Sequence, residues 1–179
     1  MSHPDIERVL FTEEEIKARV KELGQQLSRD YAGREVFCIG VLKGCFVFMA
    51  DLLRSMDVKC ELDFMVVSSY GSGTTTSGAV RITKDLGRSI EGKDVLVIED
   101  ILDSGVTLHY LRGFLEQRNP ASFRICTLFD KPARRKADIA ADYVGFLCPD
   151  EFIVGYGLDY DEKYRNLPYI GVLKPEIYT

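Results

Sequence analysis

The sequence predicts an α/β fold: an open, mainly parallel twisted sheet flanked by helices. Three observations carry that expectation. Val36-Phe37-Cys38-Ile39-Gly40-Val41-Leu42 is apolar at every position and bounded by charge, as a strand covered on both faces must be. Asp94-Val95-Leu96-Val97-Ile98 is a second such run and the most β-like in the chain. It is followed by a helical pattern and then by another strand, Phe123 to Phe129, and strand–helix–strand over this length is a right-handed βαβ unit in a parallel sheet.

The other elements follow in order. Thr12 and Glu15 have capping-box spacing, and Ile16, Val20, Leu23 and Leu27 recur on one face, so a helix runs from Glu13 to Arg29. Cys45 to Met56 is apolar and long enough for a helix, while Glu61 to Val67 alternates as a strand does. The next segment, 68–78, holds three glycines among small hydroxyl residues and reads either as a lid or as a connector. Val80 to Thr83 resumes as a short strand, the other arm of that hairpin. Val106 to Gln117 places Leu108, Leu111, Phe114 and Leu115 at helical spacing, and Asn119-Pro120 stops it. Short strands are expected at Tyr143–Leu147, Phe152–Gly155 and Ile170–Leu173. No repeat, low-complexity tract or linker interrupts the 179 residues, so a single domain over 1–179 is expected.

Composition narrows the function. Hydrophobic residues make up 46% and charged residues 28%, ordinary values for a soluble globular chain. No apolar run approaches the ~20 residues that span a bilayer, and Met1 to Asp5 lacks the order of a secretory signal. A cytoplasmic protein with no membrane partner is expected. The five cysteines (Cys38, Cys45, Cys60, Cys126 and Cys148) have no paired spacing and read as buried thiols. Cys45 follows Lys43-Gly44 near a helix start, but its only available base would be His109, which reads as a helix-surface residue. A net charge of −5 argues against a nucleic-acid partner. The local basic run from Lys131 to Lys136 reads as a solvated loop.

The segment after the Val95 strand is where chemistry is expected, since ligands sit beyond the carboxyl ends of strands in such sheets. Ser104, Gly105 and Thr107 lie at a helix N-terminus, where free N–H groups and the positive dipole end favour a phosphate. Glu99, Asp100 and Asp103 would repel one, yet carboxylates suit sugar hydroxyls and magnesium. A phosphorylated ribose with a metal satisfies both halves. The competing reading is a capped helix with solvated acids, Asp103 or Ser104 being the N-cap. Neither G-x-x-x-x-G-K-[ST] nor G-x-G-x-x-G after a strand is present, which disfavours a P-loop or dinucleotide enzyme.

Val97-Ile98-Glu99-Asp100-Ile101-Leu102-Asp103-Ser104-Gly105-Val106-Thr107-Leu108 resembles the phosphoribosyl diphosphate signature of the type I phosphoribosyltransferases, and more narrowly of their hypoxanthine-guanine branch. Val41-Leu42-Lys43-Gly44 resembles that branch's diphosphate loop, Ser68-Ser69-Tyr70-Gly71 the start of its catalytic lid, and Phe129-Asp130-Lys131 the strand end carrying a purine-contacting lysine. Phe152 to Tyr160, with Tyr164-Arg165-Asn166-Leu167, resembles its hood segment. The similarity runs from Leu10 onward.

The resemblance implies a magnesium-dependent purine salvage enzyme that moves a 5-phosphoribosyl group from its diphosphate to N9 of hypoxanthine and/or guanine, with a small hood of N- and C-terminal segments. It implies Asp103 as general base; Glu99 and Asp100 on ribose and metal; Ser104, Gly105, Val106 and Thr107 around the 5′-phosphate. Lys43, Gly44 and Arg165 would serve the diphosphate, and Asp159 a second magnesium. Lys131, Phe152 and Ile153 would hold the purine, under a lid bearing Ser69 and Tyr70. Val106 departs from members that carry lysine there, which removes a charge but keeps the backbone N–H. A homodimer or homotetramer is implied. Two rivals remain: a relative selective for one of xanthine, guanine or hypoxanthine, and a regulator that keeps the fold to sense its ligand and binds nucleic acid. The acidic balance and the presence of Asp103 and Lys131 count against the regulator.

Overall fold

The computed structural model describes residues 2–69 and 80–179, with the side chain of Ser69 left out. Tyr70, one of the two expected lid residues, therefore lies outside the described residues, and Ser69 is described by its backbone alone, paired with Val80.

Six strands form the main sheet in the order β4-β3-β2-β5-β6-β7. They are β2 (Glu35–Leu42), β3 (Lys59–Ser69), β4 (Val80–Lys84), β5 (Asp94–Leu102), β6 (Ser122–Asp130) and β7 (Tyr143–Leu147). All neighbours are parallel except β4, which returns antiparallel along β3. A second sheet of β1 (Ile6–Phe11), β8 (Ile153–Val154) and β9 (Ile170–Leu173) is antiparallel, with β9 in the middle, and supplies the hood.

The pleat explains how the apolar runs are used. Val36 and Cys38 of β2, with Leu96 and Ile98 of β5, pack under α1 (Glu13–Asp30) and α2 (Phe46–Arg54). Phe37, Ile39, Val95 and Val97 point the other way, against Leu108, Leu111 and Leu115 of α3 (Val106–Glu116). Alternate residues thus serve opposite layers, and no position in the run can be polar. The expected capping box is present: Thr12 N donates to Glu15 Oε2 at 2.8 Å and Glu15 N to Thr12 Oγ1 at 3.2 Å.

Three expectations need correction. β5 does not end at Ile98 before an acidic turn; its pairing with β6 continues to Leu102↔Asp130, so Glu99 and Asp100 are strand residues. Polarity misled here, because a strand end that faces a site is exempt from the apolar pattern. β1 was not expected: it is an edge strand with two register shifts, and its exposed residues, Glu7, Arg8 and Val9, are consecutive, so no alternation marks it. The strand expected at Phe152–Gly155 is only Ile153–Val154, leaving Phe152 outside it.

The order of strands fixes where a ligand can bind. From β2 the chain moves outward to β3, then crosses to β5 on the other side of β2. The connections leaving β2 and β5 diverge and open a crevice at their carboxyl ends. Lys43 and Gly44 follow one of these strands, and Asp103 to Thr107 the other.

The layering predicts an asymmetric response along α3. Leu111 is fully buried while Tyr110 is 42% exposed. Leu111→Ala should lower the unfolding free energy by about 3 kcal/mol, and Tyr110→Ala by about 0.5 kcal/mol or less, measured by urea denaturation.

Candidate active site

The crevice begins at the turn after β2, where the Leu42–Lys43 peptide is cis. Gly44 passes so close to the end of β5 that a Cβ at this position would collide with the Asp100 carboxylate. Gly157 has φ +101°, and a Cβ there would strike the Gly44 carbonyl oxygen. Glycine at both positions brings three chain segments together around Asp100.

Glu99 and Asp100 are adjacent carboxyls; Glu99 is buried, 9% exposed, and Asp100 is half-buried. Burial pushes the Glu99 carboxyl well above its ordinary range, and the neighbouring Asp100 charge adds to this. Burial raises Asp100 too, opposed by the Ile101 N–H, which donates at 2.7 Å, and by the charge of Arg165. The pair is short of positive charge. Among the described residues no three His, Cys, Asp or Glu side chains form a metal cage. The set fits magnesium, which takes one or two carboxylates and completes its shell with water and substrate oxygens.

Beyond the pair, Glu99, Asp103, Ser104, Gly105 and Thr107 line a cleft of about 180 Å³. Gly105, at φ +79°, is the N-cap of α3 and lets the chain turn from strand to helix. Ser104 Oγ accepts from Val106 N at 3.4 Å. Asp103 Oδ1 is buried and has no hydrogen-bond partner among the described residues, so an incoming donor would satisfy it. The capped-helix reading of Asp103 and Ser104 is not what the structure shows, since Gly105 takes the cap.

Lys131 follows β6 and is only 5% exposed. Its backbone N–H donates to Leu102 O at 2.9 Å and its Nζ to Glu151 O at 2.6 Å, tying the end of β5 to the hood. An ammonium group has three hydrogens, so two remain for other acceptors. Phe152 stacks on Tyr178 with centroids 4.7 Å apart and meets Tyr160 edge-on. Ile153 is buried and pairs with Val172.

The residues expected around a diphosphate are linked by a carboxylate the sequence reading did not single out. Glu162 lies 2.9 Å from Lys43 Nζ and 3.5 Å from Arg165 Nη2. Arg165 also pairs with Asp159 at 3.1 Å and donates to Gly157 O at 2.7 Å, while its Nε is buried without a partner among the described residues. Asp159, expected on a metal, is thus half of an ion pair here. The acids Asp159, Asp161 and Glu162 ahead of the bases Lys163 and Arg165 were the available signal for Glu162; the left-handed backbone at Asp161 and Glu162 was not legible. Cys45 is fully buried, and burial followed by the charges of Glu99 and Asp100 raises its thiol pKa, so it remains a core residue rather than a nucleophile. His109 is exposed on α3.

Residues 10–161 match the family model described as the phosphoribosyl transferase domain. The chain is 58% identical over 177 residues to the bifunctional protein TilS/HprT of Listeria monocytogenes serotype 4b (strain F2365); the match covers 99% of this chain and 27% of that protein, so this chain spans about a quarter of that relative's length. It is 59% identical over 178 residues to the hypoxanthine-guanine phosphoribosyltransferase of Bacillus subtilis (strain 168), covering 99% and 98% of the two chains. A crystal structure of a hypoxanthine phosphoribosyltransferase from Staphylococcus aureus superposes with a TM-score of 0.96 at 58% identity, covering 99% of this chain and 96% of that one.

The acidic pair sets a pH dependence. Its folded pKa values are raised, so the folded chain keeps protons that the unfolded chain releases. This favours folding below the unfolded values, and the advantage is lost as pH rises through the folded ones. In chelator, the melting temperature of Glu99→Gln minus that of the unaltered protein should therefore increase steadily between about pH 5 and pH 8. A constant difference would contradict the raised pair.

Proposed function

Because this chain belongs to the phosphoribosyltransferase family, we propose that it salvages 6-oxopurines, transferring the 5-phosphoribosyl group of 5-phosphoribosyl 1-diphosphate to N9 of hypoxanthine and/or guanine. The products are the nucleoside monophosphate and diphosphate. The observation that carries the reading is the convergence, at the carboxyl ends of the parallel strands, of an adjacent carboxylate pair, a helix N-terminus and a buried lysine, in a chain 59% identical to a curated enzyme of that activity along nearly its whole length.

Breaking the bond to C1′ leaves positive charge on the ribose, so the transition state has oxocarbenium character and needs no protein nucleophile. Glu99 and Asp100 hold the ribose hydroxyls, directly or through hydrated magnesium, and stabilise that charge. The burial that raises the Glu99 carboxyl supports this role. When bound, magnesium neutralises the diphosphate oxygens and aids their departure. Ser104, Gly105, Val106 and Thr107 cradle the 5′-phosphate with the N-terminal end of α3. Lys43, Gly44 and Arg165 receive the diphosphate, with Glu162 giving way to it, and Asp159 serves a second magnesium.

Asp103 faces N7 of the purine and assists removal of the imidazole proton as general base. Lys131 donates to O6; adenine presents an amino donor at that position, so the lysine would lose an acceptor and gain a repulsion. Phe152, held on one face by Tyr178, stacks on the base, and the Ile153 backbone reads its edge. The lid bearing Ser69 and Tyr70 closes over the site and keeps out water, which competes with the purine.

Residues 1–179 act as one phosphoribosyltransferase domain, assembled as a homodimer or homotetramer. No described helix is long and apolar enough to cross a membrane; we place the enzyme in the cytoplasm, with no nucleic-acid partner.

The test is nucleotide formation by purified protein from the diphosphate donor, magnesium and each of hypoxanthine, guanine, xanthine and adenine. At least one 6-oxopurine should react, and no turnover with any of them would reject the proposal. Adenine reacting as fast as hypoxanthine would reject the role of Lys131. Asp103→Asn should lower kcat by about a hundredfold or more while changing the donor KM less than about threefold.

A further inference from the structure

The basic run Lys131–Lys136 has one member in the proposed site, Lys131, and two that turn out to the surface, Lys136 and Arg134, which pairs with Asp150. Arg135 does neither. Its side chain is 19% exposed and turns inward beneath the cleft. The guanidinium uses all its edges: Nε donates to Asp103 O at 3.1 Å, Nη1 to Ile139 O at 2.7 Å, and Nη2 to the Asp130 carboxylate. Beside it, the N–H groups of Lys136 and Ala137 donate to Ser104 O at 2.8 and 3.1 Å.

These bonds fix more than a loop. A trans peptide is planar, with its C=O and its N–H on opposite sides. The Asp103 and Ser104 carbonyls are both held back toward the 135–139 segment, so the N–H groups of Ser104 and Gly105 are turned the other way, toward the cleft. Gly105 is pressed against the same segment: a Cβ there would meet Ile139 Cγ2 at 2.6 Å and Arg135 Cδ at 2.9 Å. One face of this short loop is therefore occupied by Arg135, and its amides are left for an anion.

The geometry points to Arg135 as a positioning residue for the donor's 5′-phosphate: it touches no substrate, but by anchoring the Asp103–Ser104 peptide it aims the cradle's N–H groups. The inference rests on the donor proposed above. A lysine cannot replace it, because one ammonium cannot reach three acceptors spread around a planar fork.

The test measures steady-state constants for donor and purine, together with calorimetric binding of ribose 5-phosphate, in the unaltered protein, Arg135→Lys, Asp130→Asn and Arg134→Ala. Arg135→Lys should raise the donor KM and the ribose 5-phosphate Kd about tenfold, about 1.4 kcal/mol, with the purine KM within about twofold. Asp130→Asn, which keeps the guanidinium but removes its anionic anchor, should raise the same two constants about threefold, and it decides the matter if Arg135→Lys does not fold. Arg134→Ala should change neither. If the folded variants keep the donor KM and ribose 5-phosphate Kd of the unaltered protein, losing only kcat in step with the folded fraction, Arg135 is merely structural and the inference falls. An unaltered protein that turns over no purine, yet binds ribose 5-phosphate in an Arg135-dependent way, would reject the function and uphold the inference.

Discussion

Two adjacent carboxyls at the end of a central strand, Glu99 buried and Asp100 half-buried, are the constraint around which the rest of this structure is arranged. Burial disfavours their charge, and Arg165, whose charge eases that of Asp100, is already shared with Asp159 and Glu162. Such a pair costs stability unless a ligand supplies what the protein withholds. Each carboxyl has its own surroundings: Asp100 abuts Gly44 and faces the turn after β2, whereas Glu99 lines the cleft with Ser104 and Thr107. A ribose carrying a phosphate at one end and a diphosphate at the other would meet both.

The fold supplies the means of holding that pair. Divergence of the chain between β2 and β5 opens the crevice, and the apolar faces of both strands, clamped between α1, α2 and α3, make its floor rigid. The hood is attached to that floor through specific contacts rather than by chain continuity alone. Lys131 reaches from β6 to the Glu151 carbonyl, Arg8 of β1 pairs with the same Glu151 at 2.5 Å, and within the hood Tyr164 donates to Asp5 at 2.6 Å. The residues proposed to face the purine and those proposed to face the sugar are thereby held in one frame, which is the condition for orientation to assist the reaction.

Much of this was legible in the residues, for identifiable reasons. The runs at Val36–Leu42 and Val95–Ile98 could be read because strands covered on both faces are apolar throughout, Phe123–Phe129 because it follows such a strand and a helical pattern, and the Thr12/Glu15 box because its bonds are local. Legibility stopped where a residue's surroundings come from distant chain. Glu99 and Asp100 looked like a turn because their strand partners, Thr127 and the residues about it, lie far along the sequence. The strand β1 was missed because its one partner, β9, is more than 150 residues away and its outward face is charged. Glu162 and Arg135 looked like ordinary surface charges; only left-handed backbone at one and a ring of carbonyl acceptors at the other give them a place in the site.

The most direct measurement of the central claim is the number of protons released when the donor binds with magnesium, obtained by calorimetry near pH 6 in buffers of different ionisation enthalpy. If the Glu99–Asp100 pair awaits a metal and a sugar, binding ionises it, and protons should be released in the unaltered protein but to a lesser extent in Glu99→Gln. Equal proton release by the two proteins, or none from either, would contradict the account.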